Sequence, residues 1–446
     1  MAARLRTALQ RRAAEVVKLG TDDGLSETDL GSPSDDATPT DAAGARSDDA
    51  TSPTKGRRRR RRRRGRSRTA AKAQPTNQTP EQNPGVAAPN LGKPDRGVRG
   101  PARAYAALDL GTNNCRLLVA VPRDRGFQVV DSFSRIVRLG EGVGDAGRLS
   151  DAAMNRAIGA LKVCAGKLNR REIRAERLIA TEACRLAENG EAFLTRVRSE
   201  TGLELEVVTQ ETEARLAAAG CGSLIDRSAS GAILFDIGGG SSELVWVDLR
   251  NGARSRPGSE AIRSWQSLPV GVVTLSERHG GHHVDAGQFE AMVAEVATML
   301  DRFPDVQALD DSVAAGGVHM IGTSGTVTTL AGIHLGLERY DRNRVDGLWM
   351  SDIEIGAMID ELRDADYEAR VANPCIGRDR ADLVLAGCAI LEAFRRRWHC
   401  PRMRVADRGL REGILVQLMR ADGAWRRSSR GRQRPAAANT AANGHG

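Results

Sequence analysis

From residue 104 to about 420, short and nearly unbroken apolar runs alternate with longer stretches in which apolar residues recur at helical spacing. AYAALDLGTNNCRLLVAV reads as strand, tight polar turn and strand, and FQVVDSFSRIVRLGEGV adds a strand ending in a glycine-rich loop. SDAAMNRAIGALKVCAGKLNR predicts a helix: Ser150 is placed to cap it, and Met154, Ile158, Leu161 and Leu168 recur at helical spacing. A strand in AERLIATEA, a helix through Phe193 and Val197, a short strand in LELEVV and a helix in ETEARLAAAG follow, with Gly220 and Gly222 as stop signals.

At GAILFDIGGGSSELVWVDL the opening pattern returns, with Asp109 and Asp236 in matching places 127 residues apart. A repeat on that scale predicts an α/β fold of two similar domains, 104–229 and 230–420. The second runs through MIGTSGTVTTLAGI to RVADRGLREGILVQLM, a strand leading into a final helix.

Composition changes the picture only at the ends. Residues 1–103 are built from Ala, Ser, Thr, Asp, Pro and Gly and lack the apolar clusters needed to offset chain entropy, so they read as a disordered tail. Residues 421–446 read as a second, basic tail. The first 100 residues hold 21 Lys and Arg against 12 Asp and Glu, a surplus equal to that of the whole chain, +9. The basic balance therefore describes the tail, not the folded body. Its arginine tract, Arg57 to Arg68 with eight uninterrupted arginines from Arg57, reads as a solvated arm or as a tether to an anionic partner, RNA or polyphosphate. No aromatic residues are interleaved to stack bases. Seven scattered cysteines without a CxxC pair signal neither a zinc site nor a disulfide framework, which suits a cytoplasmic setting. No stretch has the apolar length of a membrane span.

The chemistry is expected at the two glycine turns. In FDIGGGSSELVWV, Gly238, Gly239 and Gly240 interrupt an apolar strand, which marks a close backbone approach to something bound. Several backbone N–H groups can then converge on phosphate oxygens, and Ser241 and Ser242 add donors. Asp236 and Glu243 bracket the turn and would repel a phosphate unless a cation lay between them, so they predict Mg²⁺.

DLGTNNCRLL, DIGGGSSE and GTSGTVTTLAG together resemble the phosphate loops and later glycine-rich loop of the actin, sugar-kinase and heat-shock-chaperone ATPase superfamily. Within it, IATEACRLAENGEAFL, LEVVTQETEARLAAAG, GTSGTVTTLAG and DRGLREGIL resemble, in order, the motifs of the exopolyphosphatase and guanosine pentaphosphatase (Ppx/GppA) family over residues 104–420. The resemblance implies two actin-like (ribonuclease H-like) domains with an interdomain cleft, a homodimer, and Mg²⁺-dependent release of a terminal phosphate from polyphosphate or guanosine pentaphosphate. Glu213 matches the catalytic glutamate that orients and deprotonates water; at the start of a helix, the macrodipole would keep it ionised. Asp236 and Glu243 match the metal-associated carboxylates, and Gly238, Gly239, Gly240, Ser241 and Ser242 the terminal-phosphate loop. Asp109, Gly111, Thr112, Asn113 and Asn114 match the first loop, where the family more often has serine at positions 112 and 114. Arg185 matches an arginine facing the cleft, placed to clamp phosphate, and Gly322, Ser324, Gly325 and Thr326 form the later loop.

Other signals read more plainly. His279, His282 and His283 lack an acidic or cysteine partner at ligand spacing and are expected in a solvated loop. Arg395, Arg396 and Arg397 suit a helix C-terminus and could extend a polyanion track. The resemblance implies that longer members of the family carry a helical region gathering basic residues for long chains; no such region is expected in this sequence, and processive handling of long chains is not expected from it. A superfamily kinase or ATPase, and a binding protein working through its arginine tract, remain the competing readings.

Overall fold

A computed structural model describes residues 103–124, 126–250 and 261–425. The arginine tract and both expected tails lie outside the described residues, apart from 103 and 421–425.

The first sheet is built from β1 (Ala104–Leu110), β2 (Asn114–Pro122), β3 (Phe127–Ile136), β4 (Ile173–Ala180) and β5 (Glu206–Val207). Its order is β3-β2-β1-β4-β5, with β1, β2 and β3 antiparallel in turn and β4 and β5 parallel to β1. The second sheet contains β6 (Gly231–Ile237), β7 (Ser242–Asp248), β8 (Ile262–Leu268), β9 (Val318–Thr323), β10 (Trp349–Ser351) and β11 (Arg402–Ala406). Its order is β10-β11-β9-β6-β7-β8. Without the edge strand β10, the two sheets share one topology, so the repeat read from the sequence is a repeat of architecture: two actin-like α/β lobes.

Burial explains why β1 reads as an unbroken apolar run. Ala106, Leu108 and Leu110 face a core shared with helix α1 (Asp151–Asn169) and the helix Gly190–Thr201. Tyr105 and Ala107 face the opposite way, into a core with α3 (Gln210–Cys221) and α7 (Leu410–Ala421). A strand covered on both faces has no polar side to alternate. Further helices are α2 (Glu182–Leu186), α4 (Val272–His279), α5 (Ser324–His334) and α6 (Val384–Arg397).

Helices α3 and α7 revise the expected boundaries. Leu216 of α3 joins the first lobe's core, whereas Ala214, Ala217, Ala218 and Cys221 pack with Leu234, Val245 and Ile321 of the second sheet. Ile414, Leu415 and Met419 of α7 pack on the first sheet, although the sequence assigns this helix to the second domain. The chain is also tied down past 420: Asp422 accepts hydrogen bonds from Tyr105 and Arg174, and the Trp425 indole donates to the carbonyls of Arg123, 2.9 Å, and Gly126, 3.0 Å.

Gly220 is not a stop signal but the point where α3 and α7 cross. A Cβ there would lie 2.0 Å from the Gly409 carbonyl, and one on Gly413 would lie 2.0 Å from the Leu216 carbonyl. All seven cysteines are free and buried. No helix among the described residues is long and apolar enough to cross a membrane.

Overpacking at the crossing should be costly: Gly413→Ala is expected to lose about 1–3 kcal/mol or more in urea unfolding. Gly159→Ala, in α1 with nothing within 4 Å of the added carbon, should instead gain up to about 1 kcal/mol.

Candidate active site

The two glycine turns are built alike. Gly111 N–H donates to the Asn114 carbonyl at 2.8 Å, and Gly238 N–H to the Ser241 carbonyl at 3.0 Å. Each turn joins the central strand of its sheet to an antiparallel neighbour, and the strands carry Asp109 and Asp236 to the same level. The turns face each other. Carbons added to Gly239 would lie 3.0 Å from Thr112 Cβ and 3.1 Å from Asn113 N, and one on Gly240 would lie 2.8 Å from Thr112 Oγ1. These glycines thus let one loop approach the other, in addition to freeing amides for a ligand.

A cleft enclosing about 1040 Å³, including its open mouth, is lined by Asp109, Gly111–Asn114, Glu213, Asp236, Gly238–Ser241, Glu243 and Ser324–Thr326. Three expected residues stand elsewhere. Ser242 is fully buried behind the turn, its hydroxyl donating to the Val270 carbonyl at 2.7 Å. Gly322 lies in β9, where an added carbon would meet the Phe235 ring at 2.7 Å, so it serves packing. Arg185 is not among the residues lining the cleft. Its guanidinium donates to Glu182, to Glu213 at 2.9 Å and to the Val208 carbonyl.

Sequence reasoning missed Arg116, Glu182 and Arg380, which line the cleft. The repeat contained a signal for Arg116. It pairs with Asp109 across β1 and β2 as Glu243 pairs with Asp236 across β6 and β7, and each pair is separated by the same 127 residues.

Electrostatics oppose one expectation. Glu213 is only 6 % exposed, and burial together with the nearby Glu243 carboxylate pushes its pKa up to about 9 despite Arg185 and the helix start. The macrodipole acts in the first turn with a modest energy, which desolvation inside this cleft exceeds. Burial and Asp236 likewise raise Glu243 to about 7, opposed by the hydroxyls of Ser241, 2.7 Å, and Ser267, 3.0 Å. Asp109 and Asp236 are raised by burial, and Arg116 and Arg411 oppose both shifts. Ser324 holds Asp236 through its hydroxyl and adopts φ +73, a left-handed backbone unusual for serine.

The donor set suits one kind of metal. Among the described residues no group of three or more His, Cys, Asp and Glu forms a cage. Asp236 and Glu243 face each other in register, and hydroxyls donate to both, Ser324 to Asp236 and Ser241 and Ser267 to Glu243. The Asn113 amide oxygen is buried and unpartnered nearby. Two carboxylates that leave further positions to water and phosphate match Mg²⁺, not a closed zinc site.

The remaining charged clusters are accounted for by packing. His279 ends α4 and bonds Glu295 at 2.6 Å, whereas His282 and His283 are exposed in the loop that follows, as expected, with His282 against the Tyr367 ring. Arg395 pairs with Asp352 and Glu392, Arg396 with Glu290 and Glu392, and Arg397 with Asp310. These pairs neutralise the expected polyanion track.

Two repeated strand-turn-strand corners closing on a carboxylate-rich cleft define a two-lobed α/β protein of the actin-like class. The chain belongs to the Ppx/GppA phosphatase family, whose profile matches residues 118–422, and it is an enzyme acting on phosphoric anhydrides. It is 29 % identical over 321 residues to the guanosine-5'-triphosphate,3'-diphosphate pyrophosphatase of Aeromonas hydrophila, a match covering 71 % of this chain and 59 % of that enzyme. A solved exopolyphosphatase-like protein is 29 % identical with a TM-score of 0.63, covering 71 % of this chain and 99 % of that one. The Aquifex aeolicus member of the family, solved by crystallography, is 27 % identical with a TM-score of 0.58, covering 72 % of this chain and 99 % of that one.

The raised carboxyls link stability to pH. A group with a raised folded pKa contributes stability that is fully present below its unfolded value, 4.5 for Glu213, and lost as pH rises through its folded value of about 9. In chelator-treated buffer the melting temperature should therefore fall across that window, and Glu213→Gln should flatten the fall. An identical slope in the variant would contradict the assignment.

Proposed function

We propose that this protein is an exopolyphosphatase that hydrolyses the terminal anhydride of inorganic polyphosphate. The observation carrying the proposal is the convergence of both glycine turns, Glu213, Asp236 and Glu243 on one cleft. The N–H groups of Gly239, Gly240 and Ser241 in one turn, and of Thr112 and Asn113 in the other, donate to the terminal phosphoryl oxygens, while those of Gly238 and Gly111 close the turns themselves. Asp236 and Glu243 would hold Mg²⁺, which when bound offsets phosphoryl charge. Burial and then the Glu243 charge raise Glu213; positive charge beside Glu243 would oppose the second of these and favour the ionised Glu213 that accepts a proton.

Glu213, held by Arg185, orients a water in line with the terminal phosphorus. As the water oxygen bonds to phosphorus, its proton passes to Glu213. The bridging P–O bond breaks, and the shortened chain leaves with the electron pair. Most of the rate enhancement on this reading comes from positioning and electrostatics. Arg185 acts on the base rather than clamping substrate.

One observation favours guanosine pentaphosphate as a second reading. Beside the polar corners, Leu383, Val384 and Arg380 form a partly apolar wall on the second lobe, chemistry suited to a nucleoside.

Kinetics on long polyphosphate, short polyphosphate and guanosine pentaphosphate, measured in parallel with Mg²⁺, separate the two readings. The first expects the highest kcat/KM on polyphosphate. Glu213→Gln should lower phosphate release by about 10²–10⁴-fold while still binding the chain. Turnover near wild type in that variant would sink the assignment of the base.

A further inference from the structure

Away from the reacting groups, one loop ties the two lobes together. Residues 137–142, between β3 and α1, are fixed first to the turn at 111–114: the N–H groups of Val137 and Arg138 donate to the Asn113 carbonyl at 2.9 and 3.0 Å, and Gly140 N–H to the Thr112 carbonyl at 2.9 Å. Arg156 of α1 braces the same loop, donating to the carbonyls of Val137, 2.8 Å, and Arg138, 3.1 Å, and to Glu141, 2.7 Å.

The loop then crosses to the second lobe. Arg138 makes a bidentate pair with Asp382 at 2.8 and 3.0 Å and donates to the Asp379 carbonyl at 3.1 Å. Gly142 N–H donates to Glu277 at 2.8 Å. Both receiving residues are anchored on α4: Glu277 belongs to it, and Ser276 donates to the Asp382 carbonyl at 2.9 Å. The other end of α4 is bonded to the second glycine turn, Val272 N–H to the Gly238 carbonyl at 3.0 Å and Val273 N–H to that of Gly239 at 2.8 Å. A continuous series of bonds thus runs from the first phosphate turn through Arg138–Asp382 and α4 to the second.

The backbone at Arg138 adds a second argument. Its φ of +44 lies in the left-handed region, a conformation glycine adopts at less cost. A residue kept in an unfavourable conformation calls for a use of its side chain, and here the side chain makes the crossing. The pair is partly shielded, with side-chain exposures of 29 % and 16 %. It adjoins Arg380, Leu383 and Val384 of the cleft wall.

We infer that Arg138 and Asp382 are positioning residues: their ion pair clasps the lobes and fixes the spacing of the two phosphate turns, so that both grip one terminal phosphoryl group. Their effect on turnover rests on the reading of the cleft as the hydrolytic site; their effect on the lobes does not. In the full-length chain, Arg138→Gly removes the clasp while easing the backbone. Arg138→Asp, Asp382→Arg and the double reversal test the charges, Asp being tolerated at positive φ. Asp382→Asn is the mild variant should Asp382→Arg fail to fold.

Hydrogen exchange without substrate should quicken in 137–142 and 272–276 in each single variant, with melting temperatures close to wild type. With Mg²⁺ and tripolyphosphate, kcat/KM should fall about tenfold or more, since small misplacements of reacting groups are costly. The double reversal should recover most of that loss. Unchanged exchange in Arg138→Gly, a double reversal no better than its parents, or losses that track the melting temperature would each overturn the inference. If the wild type releases no phosphate from tripolyphosphate, the exchange pattern alone decides whether the clasp exists, and the fault lies with the hydrolytic reading.

Discussion

The constraint on which the site depends is the crowding of carboxylates in a poorly solvated space. Asp109, Glu213, Asp236 and Glu243 share one cleft, and burial raises the pKa of each. Such groups would relax toward water if carried on mobile segments. Asp109 and Asp236 sit on central strands, Glu243 on the strand beside one of them and Glu213 on a helix packed between the sheets, so the fold does not let them separate. The cleft is therefore electrostatically unfinished as built, and protons or a cation complete it. Turns that offer amides and hydroxyls suit this setting, because they attract phosphate without adding side-chain charge.

Helices α3 and α7 make this arrangement rigid. Each is wedged against sheet faces, and they cross where Gly220 and Gly413 let backbone meet backbone. Glu213 rides on α3, so its position relative to the glycine turns is decided by core packing rather than by a loop. The last helix belongs to the first lobe's core, so the N-terminal strand of the fold and its C-terminal helix stabilise one another. Packing of this kind couples the lobes near their base, whereas the Arg138 crossing couples them through the turns.

Much of this was legible in the sequence, and for identifiable reasons. The repeat from Asp109 to Asp236 gave two like lobes, because hairpins with a glycine corner leave a local pattern. The motifs gave the family and most of the residues that line the cleft. What stayed hidden depended on contacts between distant segments. Periodicity shows that α7 has an apolar face but not which sheet covers it, and Arg138 and Asp382 are 244 positions apart. The upward pull on the Glu213 pKa could not be read from the sequence, because helix position is local and burial is not. Arg185 was expected to reach substrate, but the buried acids beside it engage its guanidinium first.

Arg116 escaped for a different reason, one that bears on how the repeat works. At the same register position the first lobe has an arginine and the second a glutamate, Glu243. Two identical corners would present either two anion sites or two cation sites, and neither alone suits a phosphate accompanied by a divalent ion. With opposite charges at matching positions, one symmetric architecture provides an unsymmetric cleft. On the proposed reading, the first lobe steadies phosphate through Arg116 and the second steadies the cation through Asp236 and Glu243. The chemistry then takes place where the two lobes differ, while the fold is held by what they share.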